Sequence, residues 1–184
     1  MRATFALLTN RDIENAVNRL AWQINLRWHT GVTPRCLAPH ISLKQPFEIG
    51  QNLAALERYM VAFASDVPPL SIELTAFYLW ETVLALDVKE TPALRALHDR
   101  LNRELPLLFG EVDAAHDGAE YHFHLTIATG GASAETYRSI YSENSVHPFP
   151  ATFTAHEVAL FVYHERPSGE RDYMTHTVLP LTGS

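Results

Sequence analysis

Pro39-His40-Ile41-Ser42-Leu43-Lys44 is echoed 84 residues later by His122-Phe123-His124-Leu125-Thr126-Ile127. Each stretch reads apolar, His, apolar, hydroxyl, apolar. In a β-strand alternate side chains share a face, so His40 and Ser42 point one way, as do His124 and Thr126. If the two strands lie side by side about a pseudo-two-fold, two imidazoles and two hydroxyls converge. Such a cluster can hold a phosphate between hydroxyl donors, with an acid and a base on opposite sides. The bare pattern is weak, because a chain with 10 His supplies about one His-x-Ser/Thr match by chance. Its weight comes from where the two copies fall in the order of elements.

That order is built from simple periodicities. Ala3 to Leu8 reads as a short buried strand. Asn10 can cap a helix whose stripe is Ile13, Val17, Leu20 and Ile24, ending near Trp28. Arg35 to Pro39 is a loop, since the residue before a proline resists helix. His40 to Phe47 follows as a strand, and Leu53, Leu56, Met60 and Phe63 mark a second helix closed by Pro68-Pro69. Leu70 to Leu79 and Thr82 to Val88 are strands joined tightly at Trp80-Glu81, with Ile72, Leu74, Ala76 and Tyr78 on one side of the first. Thr91-Pro92 starts a third helix with stripe Leu94, Leu97, Leu101 and Leu105. Pro106 to Glu120 reads as a loop, Tyr121 to Thr129 as the second histidine strand, and Ser133 caps a weaker helix through Tyr141. A strand within Phe149 to His164, a turn at Pro167-Ser168-Gly169-Glu170 and a return strand from Tyr173 to Leu181 complete the chain.

The pattern is β-α-β-α-β, repeated, then a final strand. His40 and His124 each occupy the middle strand of a unit, between its two helices. The expected architecture is therefore α+β and bilobal, over residues 1–184, with two antiparallel sheets facing a central cleft and helices outside. The lobes are not separable as independent domains.

Bulk properties narrow the function. The 184 residues are 47% hydrophobic and 19% charged, ordinary for a globular chain. No apolar run approaches the roughly 18 residues of a membrane span. A single cysteine, Cys36, excludes an intrachain disulfide and any cysteine-rich zinc site, which favours the cytoplasm. A net charge of −7 argues against a broad grip on long nucleic acid and for small nucleotides or RNA ends. Nothing in the sequence calls for an obligate protein partner, and a monomer is expected.

Taken together, the two motifs and the element order resemble the two-histidine (2H) phosphoesterase superfamily, in particular its 2′-5′ RNA ligase-like and RNA 2′,3′-cyclic phosphodiesterase members. The resemblance rests on Pro39-His40-Ile41-Ser42-Leu43-Lys44 and His124-Leu125-Thr126-Ile127-Ala128 and runs over nearly the whole chain. It implies a cleft that binds a phosphodiester, often a 2′,3′-cyclic phosphate, with no metal and no cofactor. It implies His124 as the base that activates water and His40 as the acid that protonates the leaving 2′ oxygen. Ser42 and Thr126 would donate to the non-bridging oxygens. Histidine suits both roles, because an unperturbed pKa near 6.5 lets a neutral and a charged ring coexist near neutrality. Thr129-Gly130 stands where the common member has an arginine soon after the second motif, and Gln45-Pro46-Phe47 replaces the Arg-Phe-Leu-Gly type of continuation.

Other residues carry weaker expectations as substrate contacts. Lys44 shares the His40 face by alternation and could meet phosphate, or could be a solvated strand end. His122 shares the His124 face; with His40 and His124 it could make a metal site, although no acidic ligand is near in sequence and a rim or supporting role is preferred. Tyr78 and Trp80, at a hairpin, could stack a base or pack the rim. Arg166 and Arg171 flank the last turn and could bind a distal phosphate or be surface charge. The alternatives to a hydrolase are RNA-end ligation through 2′-5′ links and a nucleotide- or RNA-binding module without turnover.

Overall fold

The computed structural model describes residues 1–30, 37–110, 116–147, 149, 151–165 and 171–184. Among these, nine strands and four helices follow the order β1 (Arg2–Leu8), α1 (Arg11–Trp28), β2 (His40–Ser42), β3 (Phe47–Glu48), α2 (Leu53–Asp66), β4 (Leu70–Trp80), β5 (Val83–Val88), α3 (Pro92–Phe109), β6 (His124–Thr129), α4 (Ala134–Asn144), β7 (Ala151–Ala155), β8 (Glu157–Glu165) and β9 (Arg171–Pro180). All strand pairs are antiparallel, and the sheet runs β7-β4-β5-β6-β2-β1-β8-β9, with β3 beside β1.

This order is a palindrome about the β2/β6 contact. One wing is β2-β1-β8-β9 and the other is β6-β5-β4-β7. The two β-α-β-α-β units exchange strands, since β4, the last strand of the first unit, lies on β5, which opens the second, and β8 of the second lies on β1 of the first. The two expected sheets are thus one curled sheet, bridged at its centre by the short strands that carry the histidines.

One face of this sheet packs against the helices. Phe5 and Leu7 of β1, Ile41 of β2, Leu125 and Ile127 of β6 and Leu160 of β8 join the helix residues Val17, Ile24, Leu56, Met60, Leu101 and Ile140 in the main core. Asn10, Thr91 and Ser133 cap α1, α3 and α4 through their side-chain oxygens, each accepting from a backbone N–H three residues on.

Several local expectations change. The strand from His40 stops at Ser42, because Leu43 and Lys44 bend inward and only Phe47–Glu48 pair again with β1. The Lys44 ammonium then turns away from the cleft. It donates to Asp117 Oδ2 and to Asn102 Oδ1 and is almost fully buried. Asp117 Oδ1 also accepts from the Gln45 N–H at 2.9 Å. Beneath this pair, His98 is wholly buried; its Nδ1 lies 2.8 Å from the Leu43 carbonyl, and its Nε2 accepts from the Gly118 N–H at 2.9 Å. Helix α3 carries on through Pro106 to Phe109 where a loop was expected. An interior proline costs about 3 kcal/mol, which the burial of Leu105 and the packing of Phe109 on Phe47 offset. In β4 a bulge between Leu74 and Phe77 reverses the alternation. Ile72 and Leu74 face the core before it, Phe77 after it, and Tyr78 passes to the other side.

A buried ion pair that loses one partner leaves an unpaired charge, at a cost of about 3–5 kcal/mol. Asp117→Ala should therefore lower the unfolding free energy by about that amount in urea denaturation. A loss below about 1 kcal/mol would mean that the Lys44–Asp117 pair does not anchor this region.

Candidate active site

Strands β2 and β6 meet at a single opposed pair, Ile41 with Leu125. Opposed residues in an antiparallel pair share a face, and their sequence neighbours share the other. Ile41 and Leu125 are buried in the core, so His40, Ser42, His124 and Thr126 all face the cleft. The two-fold through Ile41 and Leu125 exchanges His40 with His124 and Ser42 with Thr126. On this diagonal the histidine Cα atoms lie about 8 Å apart, a separation that two inward-reaching imidazoles bring within range of one phosphorus centre.

The rings are oriented alike. His40 Nδ1 lies 2.8 Å from the Ala38 carbonyl, and His124 Nδ1 lies 2.9 Å from the His122 carbonyl. A carbonyl only accepts, so each Nδ1 carries the hydrogen and each Nε2 is left with its lone pair for proton transfer in the cleft.

Their surroundings differ. Opposite His40 on β1 stands Leu8, and Phe161 meets the His40 ring edge-on at 4.6 Å. Ala6, Ala159 and Phe161, with Leu8, Leu37 and Tyr163 packed beside them, make a second small apolar cluster on this side. Burial there, helped by the nearby His124 charge and opposed by the Ala38 carbonyl, pushes the His40 pKa down to about 4. Opposite His124 on β5 stands Asp87. Burial lowers the His124 pKa, and a charge on His122 adds to this, while the His122 carbonyl and the Asp87 carboxylate raise it.

Asp87 is itself held. Its Oδ1 lies 3.0 Å from His122 Nε2, and its Oδ2 accepts from Thr75 Oγ1 at 3.0 Å. Tyr78 stacks on the His122 ring at 4.4 Å. Beyond His124 a pocket of about 160 Å³ opens, lined by Gln45, Tyr78, Trp80, His116, Glu120, Tyr121 and His122. Trp80 meets His116 edge-on at 5.4 Å. The Tyr121 hydroxyl donates to the Ser42 carbonyl at 2.9 Å, tying the approach to β6 onto the end of β2.

The sequence profile of the 2′-5′ RNA ligase superfamily matches residues 11–167. The chain belongs to this superfamily. A protein named "Putative phosphoesterase" from Geobacillus thermodenitrificans is 30% identical over 111 residues, 58% of this chain and 60% of that protein. A second of that name, GK0864 from Geobacillus kaustophilus, is 29% identical over 113 residues, with the same coverage of both chains. The matched part thus spans about 60% of each of these curated relatives. Among solved structures, TT0787 of Thermus thermophilus superposes with a TM-score of 0.69 at 18% identity, covering 100% of this chain and 99% of its own. E. coli LigT without ligand superposes at 0.61 and 16% identity, covering 98% and 97%. LigT has also been crystallised with 3′-AMP and with phosphate. At these identities the structures establish a shared fold, in agreement with the bilobal α+β architecture.

Within this family frame, the four motif residues share one surface, and Tyr78, Trp80 and His122 line the pocket next to His124. Lys44 does not join them, for the burial reason given above. Arg166 lies outside the described residues, and of Arg171 only the backbone, at the start of β9, is described. No group of three or more His, Cys, Asp or Glu side chains among the described residues is placed to share a metal ion. No helix among them is long and apolar enough to cross a membrane. The sequence reading missed Asp87, Thr75 and Gln45 as neighbours of the site. Asp87 was visible as the one acid in an otherwise apolar strand, Val83–Val88.

The depressed His40 pKa has a consequence for stability. An unfolded chain takes up this proton near pH 6.5, whereas the folded chain resists it until about 4. The contribution of His40 to folding stability is therefore fully present above pH 6.5 and declines as pH falls toward 4, by no more than about 3 kcal/mol. His40→Asn keeps an amide donor for the Ala38 carbonyl and removes the titration. Urea melts at pH 7 and 4.5 should show a smaller acid loss for His40→Asn than for wild type; equal losses would contradict a half-buried His40 whose proton affinity is depressed.

Proposed function

We propose that this chain is a metal-independent phosphodiesterase that opens a 2′,3′-cyclic phosphate at an RNA end or on a small nucleotide. The observation that carries this is the two-fold about Ile41 and Leu125, which puts His40, His124, Ser42 and Thr126 on one face of the sheet, each imidazole with its Nδ1 on a backbone carbonyl. In-line displacement at phosphorus needs a base behind the attacking water and an acid beside the leaving oxygen, on opposite sides, and the diagonal supplies that. Ser42 and Thr126 lie between, where hydroxyl donors stabilise the growing charge on the non-bridging oxygens. A strained five-membered cyclic ester lowers the remaining barrier.

The aromatic pocket beside His124 supports a nucleoside as the rest of the substrate. Tyr78, His122 and Trp80 offer flat faces and edges for a base or ribose. Crystals of LigT with 3′-AMP and with phosphate are consistent with such a ligand. The −7 net charge favours a short substrate over a long RNA tract. A cytoplasmic monomer fits such a role. The same constellation could run in reverse as a ligase of RNA ends, so substrates of both kinds belong in the assay.

Hydrolysis of 2′,3′-cyclic nucleotides and of a cyclic-phosphate-ended oligonucleotide, in EDTA, checks this directly. Wild type should turn over, and His40→Asn and His124→Asn should each lose about 10²–10⁴-fold in kcat. Activity abolished by EDTA would point to metal chemistry instead. Nucleotide binding without turnover in wild type would leave a binding module.

A further inference from the structure

The two wings are alike in topology and unlike in chemistry where they meet the histidines. The two-fold that exchanges His40 with His124 carries Leu8, opposite His40, onto Asp87, opposite His124. It also faces the apolar cluster of Ala6, Ala159 and Phe161 with the polar set of Thr75, Asp87 and His122. One imidazole therefore sits among hydrocarbon and the other beside a fixed carboxylate.

We propose that Asp87 polarises the histidine pair, making His124 the proton donor to the leaving oxygen and His40 the base that takes the proton from water. This rests on the phosphodiester hydrolysis argued above and reverses the allocation that the family resemblance implies. Asp87 acts as a positioning residue, because its two oxygens are committed to His122 Nε2 and Thr75 Oγ1 and its charge reaches His124 across the strand pair. Opposed side chains stand about 5 Å apart at Cβ, close enough for a carboxylate to favour a charged imidazole.

The groups that face His124 are countable among the described residues. His122 lies ahead of it on the same chain segment, Asp87 on β5, and His40 on β2. Glu120 and His116 share its pocket. Farther out on the same wing, Lys89 and Glu73 pair with each other at 2.7 Å. Asp87 is the carboxylate placed directly across from the ring.

The step balances. Water attacks phosphorus as its proton passes to His40 Nε2, and a new P–O bond forms. The bond from phosphorus to one ribose oxygen breaks, and that oxygen takes the proton from His124 Nε2. The product is a phosphomonoester with a free hydroxyl on the ribose. His40 then holds one proton and His124 has lost one, and exchange with solvent restores the starting state. Both Nδ1–H groups stay on their backbone carbonyls throughout.

Two measurements test this. Ring-resonance NMR titrations of wild type and Asp87→Asn should show His124 protonating at higher pH than His40, with Asp87→Asn moving the His124 titration to lower pH and leaving His40 nearly unmoved. Asn preserves the contacts to Thr75 and His122, so the variant should fold, which its dispersed spectrum checks. His40 titrating above His124, or His124 unmoved by Asp87→Asn, would overturn the polarisation. The second measurement uses a cyclic ester with sulfur in place of the leaving oxygen, which needs no proton donor. His124→Asn should recover about 100-fold on this substrate relative to the oxygen ester, and His40→Asn should not. Recovery in His40→Asn alone would restore the opposite allocation. In Asp87→Asn the high-pH limb of kcat should move to lower pH with KM unchanged. If wild type turns over neither ester, the proposed hydrolysis fails and the donor role with it. The titrations still decide whether Asp87 sets the proton affinity of His124.

Discussion

The site depends on one backbone pairing, Ile41 against Leu125. Strand β2 is only three residues long, and a pairing this short would be marginal alone. The pairing persists because both residues are driven into the core that all four helices complete. Once those two side chains are fixed below the sheet, the residues on either side can only point above it. A one-residue slip of either strand would send its histidine into the core and its aliphatic side chain into the cleft. Hydrophobic burial thus sets the geometry of the polar groups, at no separate cost for ordering them.

The same pairing lets two chemically different surfaces meet. Antiparallel wings related by a two-fold place equivalent strand positions around the two imidazoles, but the sequence is free to differ at each. Leu8 and Phe161 on one side crowd the His40 ring, and burial there depresses its proton affinity. Asp87, Thr75 and His122 on the other form a hydrogen-bonded polar row. A symmetric backbone with asymmetric side chains is one way to separate the affinities of two identical groups, as acid and base work requires.

The motif residues were legible because strand alternation with hydroxyls two residues after each histidine is a local pattern, and because both copies fall at matching points of a duplicated element order. Where the sequence misled, a long-range contact overrode a local rule. Lys44 follows the alternation of His40 and Ser42, but the chain bends after Ser42, and Asp117, 73 residues away, draws its ammonium inward. Pro106 should end a helix, but Leu105 and Phe109 have partners that hold it. Tyr78 changed face because of a bulge, which leaves no clear trace in composition. Asp87 carried no motif at all; its importance comes from standing opposite His124, and strand register is not written in either strand alone.

The inward turn of Lys44 is also what makes the second histidine's support rigid. His124 is oriented by the His122 carbonyl, and His122 follows directly on the segment from Asp117 to Tyr121. Among the hydrogen bonds that fasten that segment are Asp117 to Lys44, Gly118 N–H to His98, the Gly118 and Tyr121 carbonyls to Arg95, and the Tyr121 hydroxyl to the Ser42 carbonyl. Three of these partners belong to α3 or to the bend after β2. A lysine left on the cleft face would add a cation there but would leave Asp117 without its ion-pair partner. The chain instead uses this charge to hold the backbone that aims His124. In the proposed hydrolysis, rigid support of the ring outweighs one more surface cation, because a proton-transfer group must sit within a few tenths of an ångström of its partner atoms.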